Sequence, residues 1–257
     1  MVDLKEFEQK AADLRVLGMK ISIGQDTVYE KYWDEDCRRN IYSASKSFTS
    51  CAVGFAVQEG LIDLDERLVD AFKEDIPNNP DENLKKATVK DLLTMTLGQE
   101  KGFLMGKQRP RMEEQNWVKA SLAIPFVYEP GTHFVYNNVG PYLAGIMVQR
   151  RAGCDLLSYL TPRLLKPLGI RKTIWEVDPE GNTFGAGGLF LTVSELHKLG
   201  MFYLQDGCWN GKKLLSKEWI HESTRKQVEN NKNSYGYGYL FWGGRYNSFL
   251  ANVVNTP

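Results

Sequence analysis

Apolar positions recur along this chain with two different periods, and the switches between them divide it. Over residues 4–17 the spacing is helical, which predicts an N-terminal helix. Met19-Lys-Ile-Ser-Ile-Gly-Gln and Thr27-Val-Tyr-Glu-Lys-Tyr-Trp then alternate with period two about a short Gln25-Asp26 connection, which predicts a β-hairpin. From Ser43 the helical period returns. Phe48, Cys51, Ala52, Phe55 and Ala56 share one face, and Gly60 ends the run. Residues 88–95, 113–122, 139–151, 156–165 and 193–204 also carry helix-period apolar positions. Loops such as Asp75-Ile-Pro-Asn-Asn-Pro-Asp and Asp178-Pro-Glu-Gly-Asn separate them. Tyr235-Gly-Tyr-Gly-Tyr-Leu-Phe-Trp and Arg245-Tyr-Asn-Ser-Phe-Leu go back to strand character. Strands at both ends with helices between predict an α+β fold: an antiparallel sheet flanked by helices, with a mainly helical insertion.

The bulk properties narrow the function classes. With 257 residues the chain can bury a substantial core as one large domain or two packed ones. Its 32 basic and 32 acidic residues cancel, so no long-range field draws in nucleic acid or an anionic membrane. No apolar run reaches the roughly 18 residues of a membrane span. The start, Met1-Val-Asp-Leu-Lys-Glu-Phe-Glu, has no signal-peptide core, so the expected address is cytoplasmic. Cys37, Cys51, Cys154 and Cys208 form no CxxC pair and read as structural thiols. His133, His197 and His221 stand apart, and nothing around them supports a Ser-His-Asp triad.

Candidate chemistry enters with Ser43-Ala44-Ser45-Lys46. In a helix, a three-residue spacing stacks the hydroxyl and the amine on one face. A serine hydroxyl is a poor nucleophile until a base takes its proton. A lysine becomes such a base when burial lowers its pKa from about 10.4. Unpaired N–H groups and the dipole at a helix start disfavour a second cation and favour developing negative charge. The bland alternative is an N-cap serine with a solvated lysine one turn on. The same letters occur at Ser223-Thr-Arg-Lys226, but the polar stretch after them cannot anchor a buried helix.

Ninety residues after Lys46 comes Pro130-Gly-Thr-His-Phe-Val-Tyr-Asn-Asn. Tyr136 can carry a second proton-transfer group, and Asn138 can offer an amide to a substrate carbonyl and to Lys46. The alternative is a core tyrosine followed by an asparagine N-cap.

Taken together, Ile41-Tyr-Ser-Ala-Ser-Lys-Ser-Phe-Thr-Ser and Glu129-Pro-Gly-Thr-His-Phe-Val-Tyr-Asn-Asn closely resemble the first two motifs of class C-like β-lactamases, DD-peptidases and related esterases. Glu59-Gly-Leu-Ile-Asp-Leu-Asp-Glu, Val89-Lys-Asp-Leu-Leu-Thr-Met-Thr-Leu-Gly, Leu164-Leu-Lys-Pro-Leu-Gly-Ile, Gly187-Gly-Leu-Phe-Leu-Thr and Trp242-Gly-Gly-Arg are similar to supporting segments of that family, in order over nearly the whole chain. The resemblance implies a β-lactamase/transpeptidase-like fold acting as one continuous unit. Residues 1–60 would supply the N-terminal helix, hairpin and nucleophile helix, 61–185 the mainly helical region, and 186–257 the return to the α/β region. It also implies acylation of Ser43 by a small-molecule substrate carbonyl, with Lys46 and Tyr136 sharing the proton work and Asn138 holding substrate and lysine. No metal or organic cofactor is implied. Trp117, Phe126, Trp175, Tyr237 and Trp242 are candidates to line the cleft, although core packing suits most of them.

The family's third motif, Lys-Thr-Gly or a variant on a cleft strand, is not found. Lys198-Leu-Gly200 fits the letters but lies in the helix-period stretch Glu195-Leu-His-Lys-Leu-Gly-Met-Phe. The chain stops at Asn252-Val-Val-Asn-Thr-Pro257, about where relatives place that strand, another strand and a closing helix. The expectation is a C-terminally shortened member, lacking one oxyanion donor at a cost of about 10²–10³ in rate. It would be catalytically weak or completed by a partner chain, and exposed strand edges would favour a homodimer. Two readings follow: an active serine hydrolase on a β-lactam, peptide, ester or amide, or a non-catalytic relative that binds acyl compounds or a partner.

Overall fold

A computed structural model describes residues 4–11, 13–244 and, as backbone, 249–250. The chain opens with α1 (Lys5–Ala11) and the antiparallel hairpin of β1 (Gly18–Ile23) and β2 (Asp26–Tyr32). Ile23 pairs with Asp26, so the two-residue connection is Gly24-Gln25, one position earlier than the alternation suggested. The first helix is shorter than predicted. Val16 N–H turns back to the Ala11 carbonyl, and Arg15 adopts a left-handed φ of 52° that no helix continues through.

After β3 (Arg39–Asn40) comes α2 (Ser45–Gln58), which the rest of the molecule surrounds. Every residue from Ser45 to Ala56 is buried, so the helix has no solvent face despite carrying Ser45, Lys46, Ser47, Thr49 and Ser50. Several of these polar groups meet the glycine-rich segment 185–189 instead. Ser45 Oγ accepts from Leu189 N–H at 3.1 Å, and Thr49 Oγ1 donates to the Gly185 carbonyl at 2.6 Å. A Cβ at Gly185 would lie 2.8 Å from the Pro141 carbonyl oxygen, so only glycine lets this segment approach so closely.

The helical region follows, as α3 (Leu68–Ala71), α4 (Glu82–Lys86), α5 (Val89–Thr94), α6 (Trp117–Leu122), α7 (Val139–Ala152) and α8 (Leu156–Leu160). α7 packs on both α2 and α5. At the second contact, a Cβ on Gly140 would sit 2.3 Å from the Leu92 carbonyl oxygen. α6 starts at Trp117, not near 113, because Asn116 caps it: its Oδ1 accepts from Lys119 N–H at 2.8 Å. The run expected over 156–165 splits into α8 and one π-type turn, Thr161–Leu165. Pro162 lacks the N–H that an α-helical ladder would require there.

β4 (Phe190–Leu191) pairs with β3, and α9 (Val193–Leu204) matches its predicted bounds. A capping box of Thr192 and Glu195 starts that helix. Ser22 Oγ to His197 Nε2 at 3.0 Å and Tyr32 Oη to Ser194 Oγ at 2.8 Å tie α9 to the hairpin. β5 (Cys208–Trp209), β6 (Lys212–Lys213), α10 (Lys217–Thr224), β7 (Trp242–Gly243) and β8 (Phe249–Leu250) complete the order.

The fold is α+β, yet its described strands form four separate two-stranded sheets, not one. The outer edges of β1 and β2 therefore carry no strand partner among the described residues. The strand expected over 235–242 is a correction. Tyr237 bridges both Val228 and Trp242, and Gly238 N–H donates to the Phe241 carbonyl, so the segment folds back on itself. Gly236 at φ 79° and Leu240 at φ 66° permit the reversal; alternating glycine and tyrosine imitated a strand without extending as one. Of the strand expected over 245–250, only Phe249–Leu250 is described; 245–248, the first three residues and 251–257 lie outside the described residues. No described helix is long and apolar enough to cross a membrane.

Candidate active site

The nucleophile candidate sits just before α2. Residues Tyr42–Ala44 form a single 3₁₀ turn that runs directly into the helix, keeping Ser43 and Lys46 on one face. Ser43 is not an N-cap: Ala44 holds that position, and no side chain caps the helix. The Ser43 hydroxyl is thus left for other work.

Lys46 is only 1% exposed. Its Nζ donates to the Ala186 carbonyl at 2.6 Å and to Asn138 Oδ1 at 2.8 Å, and it lies 3.1 Å from Ser43 Oγ. All three partners are neutral. With no carboxylate to offset burial, desolvation first, and the positive charge of Arg109 second, push the amine from its reference value of 10.5 down to about 7. A neutral amine has two N–H groups and one lone pair. The carbonyl and the amide take the two N–H groups, which leaves the lone pair for the Ser43 O–H.

Asn138 heads α7, but its side chain does not cap the helix. Its Oδ1 serves Lys46, and its Nδ2 donates to the Leu104 carbonyl at 2.9 Å. Capping falls to Asn137, whose Oδ1 accepts from Gly140 N–H at 2.8 Å. The two adjacent asparagines therefore divide a structural task from a site task, which motif letters alone left open. Tyr136 presents its ring to the lysine, with Nζ 5.2 Å from the centroid. Trp242 stacks on that ring at 5.3 Å and 28°, and Tyr237 meets it edge-on at 6.4 Å. Burial, and then Tyr136, push the Tyr237 phenol well above its ordinary value.

All four residues expected from sequence meet here: Ser43, Lys46 and Asn138 through polar contacts, and Tyr136 through its ring. Of the five candidate lining aromatics, Trp242 and the buried Tyr237 pack on Tyr136, whereas Trp117, Phe126 and Trp175 are buried in the core. Lys198 and Gly200 lie inside α9. His133 stacks on Tyr128, His197 pairs with Ser22, and His221 pairs with Asp206. Two contributors were missed. Arg109 opens a short 3₁₀ turn, Arg109–Arg111, without motif spacing, and its Nη1 donates to Glu176 Oε2 at 3.2 Å. The Ala186 acceptor is backbone, which no residue type signals, and it lies next to the Gly187-Gly-Leu-Phe-Leu-Thr segment.

Small antiparallel sheets around a helical region, with a buried lysine beside a serine at the start of the central helix, make a β-lactamase/transpeptidase-like fold. A family model described as Beta-lactamase matches residues 5–252, and the chain belongs to that family. It is 31% identical over 157 residues to monacolin J acid methylbutanoyltransferase of Aspergillus terreus, covering 53% of this chain and 37% of that protein. It is 31% identical over 150 residues to lovastatin esterase of Penicillium rubens, covering 50% and 37%. Each match thus spans little more than a third of the relative's length. Among solved structures, the octameric penicillin-binding protein homologue from Pyrococcus abyssi superimposes with a TM-score of 0.74 at 22% identity, over 93% of this chain and 65% of that one. The Aspergillus and Penicillium relatives are named as a transferase and an esterase.

Proposed function

We propose that this chain transfers acyl groups from a small ester or amide through an acyl-Ser43 intermediate, with hydrolysis as the default outcome. One observation carries the reading. Lys46, held by neutral partners at a pKa of about 7, is 3.1 Å from the Ser43 hydroxyl and half neutral near pH 7. A base acts best when its pKa lies near the working pH.

In the first step Ser43 Oγ bonds to the substrate carbonyl carbon while its proton passes to Lys46. The bond to the leaving oxygen or nitrogen then breaks, and that atom takes the proton, with the Tyr136 phenol as relay. Water, or an alcohol in a transfer reaction, attacks the acyl carbon in the second step and restores Ser43. Asn138 holds the lysine throughout. The named transferase and esterase relatives fit both outcomes of that second step.

Intact mass after treatment with a fluorophosphonate tests the reading. The wild-type chain should gain one adduct, Ser43→Ala none, and p-nitrophenyl ester turnover should vanish with the adduct. An unlabelled wild-type chain, or labelling that survives Ser43→Ala, overturns it and returns the molecule to a binding role.

A further inference from the structure

Tyr42, directly before Ser43, is exposed and adopts a φ of 46°, a left-handed conformation that bulky side chains disfavour. Something must hold it there. Asn40 Oδ1 accepts from the Tyr42 N–H at 2.7 Å, and Asn40 Nδ2 donates to Glu176 Oε1 at 3.0 Å. These two contacts also fix which way the amide points. The other oxygen of Glu176 holds Arg109, whose guanidinium carbon lies 4.3 Å over the Phe184 ring. Gly188 makes room for the carboxylate, since a Cβ there would sit 2.5 Å from Glu176 Cβ. Residues far apart in sequence thus form one continuous link from the backbone ahead of Ser43 to the Arg109 cation, whose charge acts on Lys46.

We propose that Glu176 is a positioning residue of this site: one oxygen fixes the Ser43 turn through Asn40, and the other anchors the Arg109 guanidinium. This rests on the acyl-transfer reading above. An ion pair with side chains 26% and 37% exposed contributes little to stability, so stability alone gives the link little purpose. Around Lys46, the titratable or charged groups facing it are Arg109 from the 109–111 turn and Tyr136 from the segment before α7, with Glu176 behind Arg109. α2 and segment 185–189 add no other charge.

The test is the pH profile of kcat/KM with a p-nitrophenyl ester, on the full chain, with melting curves for every variant. Arg109→Gln removes a cation that disfavours the ammonium, so the acid limb should move up in pH. Glu176→Gln leaves that cation without its counter-charge, so the limb should move down. Arg109→Lys should stay near the wild-type limb. Asn40→Ala should lower kcat by about tenfold with the limb nearly unmoved, because it frees the turn without removing a charge. Opposite shifts in two folded variants are a signature that loss of structure does not produce. Limbs that coincide with wild type, or move in the same direction, overturn the proposal. If Glu176→Gln does not fold, the Arg109→Gln and Arg109→Lys pair decides: an unmoved limb in Arg109→Gln overturns it. Should Ser43→Ala turn over as fast as wild type, the acyl-transfer reading falls and takes this one with it. If Ser43→Ala is inert while the limbs coincide, only the positioning role falls.

Discussion

The letters Ser-x-x-Lys occur at both Ser43–Lys46 and Ser223–Lys226, and the structure gives them opposite surroundings. Ser43 precedes a helix that is buried from its first residue, and its lysine meets only neutral acceptors. Ser223 lies at the far end of α10, where its hydroxyl turns back to the Ile220 carbonyl at 3.1 Å. Lys226 is 45% exposed and pairs with Glu229. At the second place the helix ends at Thr224 and Arg225 is extended, so the three-residue spacing is helical only at Ser43–Lys46. Only burial without a counter-ion makes the amine a base.

The most forceful way to break this contrast is to remove each lysine. Lys46→Ala should lower ester turnover by about 10³ or more, as loss of a nucleophile's base does, while Lys226→Ala should stay within about twofold. Comparable losses from both would show that surroundings do not decide. A finer comparison uses the neighbouring asparagines. Asn138→Ala deprives Lys46 of an acceptor and should cut kcat by about 10², the scale of losing one site hydrogen bond. Asn137→Ala removes the α7 cap and should cost about 1 kcal/mol in denaturant melts, with kcat per folded molecule nearly unchanged.

A last comparison concerns stability against pH. Between pH 7 and pH 10.5 the unfolded chain keeps a proton on this lysine that the folded chain has lost. The unfolded state binds more protons there, so stability rises with pH across that window. Below it, the folded state must bear the buried charge. Lys46→Met should flatten this part of the curve in thermal melts, and Lys226→Met should leave it as in wild type.

The sequence made local structure legible where one signal dominated. α9 has both a helical period and a Thr192/Glu195 box, and its bounds were read correctly. The clustering of Ser43, Lys46, Tyr136 and Asn138 was legible because each motif sets side-chain types at fixed offsets from a helix start. Arg109, Glu176 and Asn40 were not, since their roles arise from tertiary contacts across as many as 136 positions. Segment 235–242 misled because glycine at every second place has the period of a strand and the freedom of a turn. The solvent-free character of α2 was also hidden. The sequence marks one apolar face only, and the polar Ser45 and Thr49 are covered by the approach of segment 185–189.

That glycine-rich segment places a limit on how this site can change. One of the lysine's three grips is the Ala186 main-chain oxygen, which every amino acid possesses. No exchange of side chain at 186 deletes that grip. Drift in the lysine's basicity must therefore come through Asn138, through the Arg109 guanidinium, or by bending the loop itself, and Gly185 has little room to bend.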